Sequence, residues 1–374
     1  MIDNTALLFK LIDDGTIRLN KGIILSSSPS PLGDQFTFDK IEGMLLGAAI
    51  GDSLGATSEG HSADSRVNMH GEIRNYVPGR RSNNKAIGVP TDDSQLTFWT
   101  LKQLIQDDGL IADNLAKRFC KHHIIGIGST VRGFIQNYKD LHKPWYESGP
   151  DSLGNGALMR ISPMVVPYLK CPNPSMYADA AINAMLTHNS YANNATCIAF
   201  VNILWQLLAM RSAPDPSWWV ESYCAVAKEL EGNTMYSSTK NSQYAYSGPL
   251  WKYTKMVIKD AISQGLSVKG ACKKWGSHAS LFETVPSVLY ILTVHSNDPE
   301  EAIIRAVTDT GDNDTIGAIV GAAVGALHGL MGIPNRWIQG LTGRTRAGVD
   351  DSGEIFKLIL LAKKMFWTST SANV

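Results

Sequence analysis

Thr308-Asp309-Thr310-Gly311-Asp312-Asn313-Asp314-Thr315 lies between two apolar runs, Ala302-Ile303-Ile304-Arg305-Ala306-Val307 ahead of it and Ile316 to Leu330, without a formal charge, behind it. Three carboxylates so close repel one another unless a cation lies among them. Carboxylate and hydroxyl oxygens are the ligands that hard divalent cations prefer. The alternative is a polar turn whose aspartates cap the next helix. In the run that follows, glycines recur at Gly317, Gly321, Gly325 and Gly329. A spacing of four puts them on one helix face, where each costs about 1 kcal/mol relative to alanine. Such a face implies close approach of another backbone. The stretch Phe38 to Leu54 repeats the device, with Gly43, Gly47, Gly51 and Gly55. If the two glycine faces meet, Asp52 lies beside the acidic cluster.

A second acidic stretch, Thr91-Asp92-Asp93-Ser94, opens the apolar run Leu96-Thr97-Phe98-Trp99. By itself it reads as an N-cap with acidic first-turn residues suited to the helix dipole. Taken together, the two stretches offer at least four carboxylates and two threonine hydroxyls, enough for two metal ions with positions left for water and substrate.

Composition narrows the field. The chain has 374 residues, enough for one large domain or two ordinary ones. Its 34 basic and 34 acidic residues cancel, so no single-sign field argues for nucleic acid or an anionic membrane surface. The 5 cysteines are scattered without a CxxC, and Met1-Ile2-Asp3-Asn4 does not begin a signal peptide, which together point to a reducing, cytoplasmic setting. The uncharged run Ile316 to Pro334 is barely long enough for a membrane span and holds five glycines, so it reads as a buried helix.

Along the chain, residues 1–38 look like a separate N-terminal arm. They contain a short helix near Thr5 to Leu11, a loosely alternating Thr16 to Leu25 and a Ser/Pro linker from Ser26 to Gly33. The arm is too apolar for a solvated tail and is expected to dock on its own domain or on a partner. Residues 39–374 read as an all-α domain of a dozen or so helices. Expected helices include Gln95 to Gln106, Ile111 to His122, Val131 to Tyr138, Ala157 to Leu169, Ser175 to Leu186, Asn193 to Met210, Trp218 to Leu230, Trp251 to Gly265, Leu281 to Val294 and Ser352 to Phe366. Glu231 to Pro249 reads as a polar surface loop. Gly126-Ile127-Gly128-Ser129-Thr130 and Gly154-Asn155-Gly156 are glycine turns, weak as phosphate cradles on their own.

In order along the chain, Gly51-Asp52-Ser53-Leu54-Gly55-Ala56-Thr57-Ser58-Glu59, Thr91 to Ser94, Gly126 to Thr130, Gly154 to Arg160, Thr187-His188, Gly311 to Thr315 and Gly332-Ile333-Pro334-Asn335-Arg336-Trp337 resemble the blocks of the ADP-ribosylglycohydrolase family. The resemblance implies a compact multi-helix domain with a binuclear magnesium or manganese cleft. It implies Thr91, Asp92, Asp93, Asp312, Asp314 and Thr315 as metal ligands. Gly126, Gly128, Ser129, Thr130, Ser152, Gly154, Asn155 and His188 are implied as substrate contacts, with Leu153 standing where some relatives carry an aromatic ring. The implied reaction is hydrolysis of the bond between ADP-ribose and an arginine side chain of a modified protein. Glu59 is the candidate general base, with Asp93 sharing the task. Three further readings remain open. The chain could act as an immunity protein whose arm blocks an ADP-ribosyltransferase toxin. It could be a mainly non-catalytic toxin binder, or it could hydrolyse serine-linked or O-acetyl-ADP-ribose.

Overall fold

The structure, a computed structural model, describes residues 3–347, 351 and 353–368. Helices dominate it. In chain order they are α1 (Thr5–Asp13), α2 (Asp39–Gly55), α3 (Ala63–His70), α4 (Asp92–Asp107), α5 (Ala112–Lys121), α6 (Ser129–Ile135), α7 (Trp145–Ser148), α8 (Ser175–Met185) and α9 (Tyr191–Ala209). Then follow α10 (Pro216–Glu231), α11 (Leu250–Ser263), α12 (Val268–Trp275), α13 (Leu281–His295), α14 (Pro299–Asp309), α15 (Asn313–His328), α16 (Asn335–Gly340) and α17 (Glu354–Phe366). Among the described residues, the one sheet is a two-stranded hairpin, β1 (Tyr236–Ser237) with β2 (Ser247–Gly248), inside the polar loop.

The glycine faces meet. α2 and α15 run antiparallel and touch backbone to backbone, Gly51 against Gly317, Gly47 against Gly321 and Gly43 against Gly325. A Cβ added to Gly317 would lie 2.7 Å from the Gly51 carbonyl oxygen. At the end of this seam Gly55 abuts the backbone of Asp314, which sets the C-terminus of α2 against the N-terminus of α15. Around the pair pack α4, α9, α13 and α14, and α10 and α11 lie outside α9 and α13. Nearly every residue of α9 and α15 is buried, as expected of helices with apolar residues all round.

The segment Ala157 to Leu169 is not one helix. Two 3-10 stretches, Leu158–Arg160 and Ser162–Tyr168, take its place. Pro163 and Pro167 lack the N–H that an α-helix interior requires. The expected helix from Val131 begins earlier, at Ser129, and widens into a π turn over Gln136–Asp140. The last helix starts at Glu354; Ser352 lies outside the described residues. Helices α3, α7, α12 and α16 had no clear signature in the sequence. They are short, and the apolar face of each is too brief for a period to show.

The N-terminal arm docks on its own body. Leu8, Leu11, Ile17, Leu19 and Leu25 are buried, each worth roughly 1.5–3 kcal/mol. Asn4 donates to the Asp179 carboxylate (2.6 Å), the Leu110 carbonyl (3.0 Å) and, through its backbone, Ser175 (2.8 Å). Farther along, the Asn20 amide donates to the Leu230 carbonyl, and the Trp205 indole donates to the Ser30 carbonyl. No helix among the described residues is long and apolar enough to cross a membrane.

Candidate metal centre and substrate cleft

Three helix ends converge on the acidic residues. α2 delivers Asp52 in its last turn, α4 begins at Asp92 and α15 begins at Asn313. Thr91 and Asp312 stand at the N-cap positions of α4 and α15, yet neither side chain caps its own helix. At α4 the role is filled by Asp52, from the last turn of α2. Asp52 accepts hydrogen bonds from the Thr91 amide (2.9 Å), the Thr91 hydroxyl (2.7 Å), the Ser94 amide (3.1 Å) and the Ser94 hydroxyl (2.5 Å). The partial positive ends of α4 and α15 both face the cluster. Thus the capping alternative fails for Thr91 and Asp312, whose side-chain oxygens point elsewhere.

One oxygen from each of Asp52, Asp93 and Asp314 lies within 4.8 Å of the others. Asp52 joins the centre although it stood outside the ligand set expected from the sequence; the glycine spacing was the signal that placed it nearby. Asp92, Asp93, Asp312, Asp314 and Thr315 line the adjoining cavity. Thr91 is buried behind them, its hydroxyl turned to Asp52 and to Asp93 (3.2 Å). The Thr315 hydroxyl reaches the Asp93 carboxylate. Asn313 turns inward between the two aspartates and donates to the carbonyls of Gly55 (3.2 Å) and Val307 (2.8 Å). Buried Arg66 donates to the carbonyls of Thr308 (2.9 Å) and Thr310 (2.6 Å), which fixes the turn ahead of the ligands. Nothing in the sequence marks Arg66, because it sits on a helix without periodicity.

The electrostatics are those of a site built to hold cations. Burial, then repulsion from Asp52, Asp92 and Asp312, holds the Asp93 carboxyl well above the usual range. Burial, then Asp93 and Asp312, does the same to Asp314. Asp92 is pushed up to about 7 by burial and then by Asp52. Burial also raises Asp52 and Asp312. The buried Asp93 Oδ1 has no hydrogen-bond partner. A buried, unpaired carboxylate oxygen is costly unless a cation or a proton meets it. The donor set is all oxygen, which suits magnesium or manganese.

The cavity beside the carboxylates has a volume of about 490 Å³, within the range of small-molecule clefts. All eight expected substrate contacts line it: Gly126, Gly128, Ser129, Thr130, Ser152, Gly154, Asn155 and His188. Gly126 has φ +71, and a Cβ there would lie 3.0 Å from Asp92 Oδ1. Thr130 and Ser152 share a hydroxyl hydrogen bond of 2.9 Å. Asn155 donates to Asp312 Oδ2 (2.6 Å) and to Thr284 (3.0 Å), so one wall of the cleft orients the Asp312 carboxylate. His188 is buried with Nδ1 on the Thr187 hydroxyl (2.8 Å). Burial, then the Arg160 guanidinium, pushes its pKa down to about 3, so the ring is neutral at ordinary pH. A Cβ on Gly156 would lie 2.9 Å from this ring, which is why the floor of the cleft is glycine. Glu59 stands at the rim, its side chain 43% exposed and paired with Arg81 at 3.4 Å.

An all-helical fold with an acidic oxygen-ligand centre under a glycine-lined cleft defines a class, the metal-dependent hydrolases of helical architecture. Within it, the chain belongs to the ADP-ribosylglycohydrolase family, whose model matches residues 34–366. It is 24% identical to ADP-ribosylhydrolase ARH3 of Mus musculus, over 82% of this chain and 88% of that protein. It is also 24% identical to the ADP-ribosyl-[dinitrogen reductase] glycohydrolase of Rhodospirillum rubrum, over 81% of this chain and 90% of that one. A solved structure described as an ADP-ribosylglycohydrolase-related protein complex has the same fold (TM-score 0.63, 23% identity), covering 88% of this chain and 98% of that one.

Proposed function

We propose that the protein releases ADP-ribose from a modified protein side chain, with arginine as the attachment point, using two divalent metal ions held by Asp92, Asp93, Asp312, Asp314 and Thr315 together with Thr91 or Asp52. The single observation that carries the reading is the junction of three helix ends, where buried carboxylates with one orphaned oxygen open into a cleft lined by glycine turns. The glycine turns and hydroxyls that line the cleft, Gly126 to Thr130 and Ser152 to Gly154, suit a diphosphate. His188, neutral and fixed by Thr187, offers Nε2 to the ribose or phosphate end of the ligand.

Divalent ions, when bound, supply Lewis-acid polarisation and lower the pKa of water at the site. The chain's own residues do the rest. Asn155 holds Asp312 in place. Glu59 takes the proton of the attacking water as the ribose C1 becomes oxocarbenium-like and the side chain departs. Arginine as the attachment point is supported by the rim itself, where Glu59 already faces one guanidinium, that of Arg81. An incoming guanidinium would compete with Arg81 for the same carboxylate. Most of the arm's apolar side chains are committed to the chain's own core, which favours hydrolysis over blocking a transferase with the arm.

The test is to incubate purified protein with arginine-ADP-ribosylated and with serine-ADP-ribosylated protein, each with and without EDTA. Release of ADP-ribose from the arginine conjugate alone, abolished by EDTA and restored by magnesium or manganese, is the expected result. Release from the serine conjugate alone would replace the linkage; release unaffected by EDTA would remove the metals.

A further inference from the structure

A second cavity of about 250 Å³ adjoins the first. Three chain segments cross from one to the other. Glu59 faces the substrate cleft, while Ser62 and Asp64, a few residues on, face the second cavity. Ala279 and Ser280 face the cleft, while Ser277 and His278 face the second cavity. Asp312 and Asp314 face the cleft, while Asp309 to Gly311 face the second cavity. The partition between them is therefore the metal-binding loop, strapped by hydrogen bonds from the Gly311 and Asp312 amides to the Ser277 carbonyl (3.1 and 2.7 Å).

On that partition stands His278, its side chain 63% exposed and its Nδ1 2.8 Å from the buried Glu283 carboxylate. The same carboxylate receives the His278 amide (2.7 Å) and Asn241 Nδ2 (3.0 Å). Asn241 comes from the polar loop between β1 and β2, so Glu283 joins that loop to the metal partition. The other walls carry Lys269 and Lys273, both paired to Asp64. Asp309 lines the cavity as well and feels Lys269, so the two lysines are balanced by two carboxylates.

We propose that this second cavity is a subsite for the polypeptide that carries the ADP-ribose, with His278 and Asn241 hydrogen-bonding the residues beside the attachment point. The proposal rests on the function proposed above. ADP-ribose in the larger cleft puts its anomeric carbon at the carboxylates, and the departing side chain then lies over the partition. Held by Glu283, the ring needs no reorganisation to meet a peptide group. His278 is a specificity-determining residue here, not a catalytic one.

The experiment compares two substrates, ADP-ribosyl-arginine as a single amino acid and an octapeptide that contains ADP-ribosyl-arginine. Wild type is expected to prefer the peptide in kcat/KM. His278→Ala and Asn241→Ala are expected to reduce that preference about tenfold through KM on the peptide, and His278→Asn to recover part of it. Calorimetric affinities of the two conjugates for Glu59→Gln protein read the subsite without turnover: the peptide conjugate binds more tightly, and adding His278→Ala erases the difference. An unchanged preference, or an equal fall on both substrates, overturns the subsite. Failure of wild type to hydrolyse either conjugate, with no binding of either to Glu59→Gln, overturns the function itself.

Discussion

Glu59 and Asp179 show how two carboxylates in one chain have different tasks. Glu59, at the rim, reaches solvent and a guanidinium. Glu59→Gln is expected to lower turnover by at least about 10²-fold, the usual scale for removing a general base, with melting temperature and ADP-ribose affinity nearly unchanged; steady-state kinetics and calorimetry check it. Asp179 is not among the cleft residues and lies buried under Asn4 and Tyr168 (2.6 Å each). Burial drives its pKa up to about 7 against these two hydrogen bonds. The folded protein then binds a proton that the unfolded chain has lost. Stability from this group is full below about pH 4 and is lost as pH rises through about 7, by at most about 1.4 kcal/mol per pH unit. Asp179→Asn should flatten urea-denaturation stability between pH 5 and 7, measured with saturating magnesium so that the metal-site carboxylates do not contribute. The acidic residues that line the cleft were legible in the sequence because acids and threonines stand together ahead of apolar runs. Arg66, Arg81 and His278 were not, since each arrives from a segment whose own pattern says nothing of where it ends up.

Among the elements, the glycine seam was the most readable, because a four-residue repeat costs helix stability that only a close neighbour returns. It leads to a substitution whose sign is unusual. In an exposed helix Gly→Ala stabilises by about 1 kcal/mol. Gly51→Ala instead meets the Gly317 carbonyl, and overpacking of this kind costs about 1–3 kcal/mol. A lower denaturation midpoint for Gly51→Ala, beside a raised or unchanged one for Gly33→Ala, where a Cβ meets nothing and φ is not positive, is the expected pair of results. Elements closed by proline were harder to read. Pro163 and Pro167 did not end the apolar pattern of 157–169, so periodicity suggested a helix that the missing N–H groups forbid. The arm's apolar side chains were equally legible, but whether they met this body or another could not follow from composition, since both bury the same surface.

For the whole molecule, the metal centre couples binding to stability. Ligands that repel when empty are relieved by cations, so magnesium should raise the melting temperature, by a stability of about 2.7 kcal/mol at a hundredfold excess over Kd; differential scanning fluorimetry with EDTA and with added magnesium checks it. A chain lacking residues 1–38 should lose at least several kcal/mol, since seven buried apolar side chains go with it, and its denaturation midpoint would show it.

The seam between α2 and α15 also constrains when this protein becomes functional. It joins Gly51 to Gly317, so the contacts that complete the centre span most of the polypeptide, and pairings that distant form late. During synthesis the first half of the centre leaves the ribosome long before the second exists. A nascent chain that stops short of α15 therefore presents an unpaired glycine furrow and isolated acids; the centre is complete only once α15 has emerged to close it.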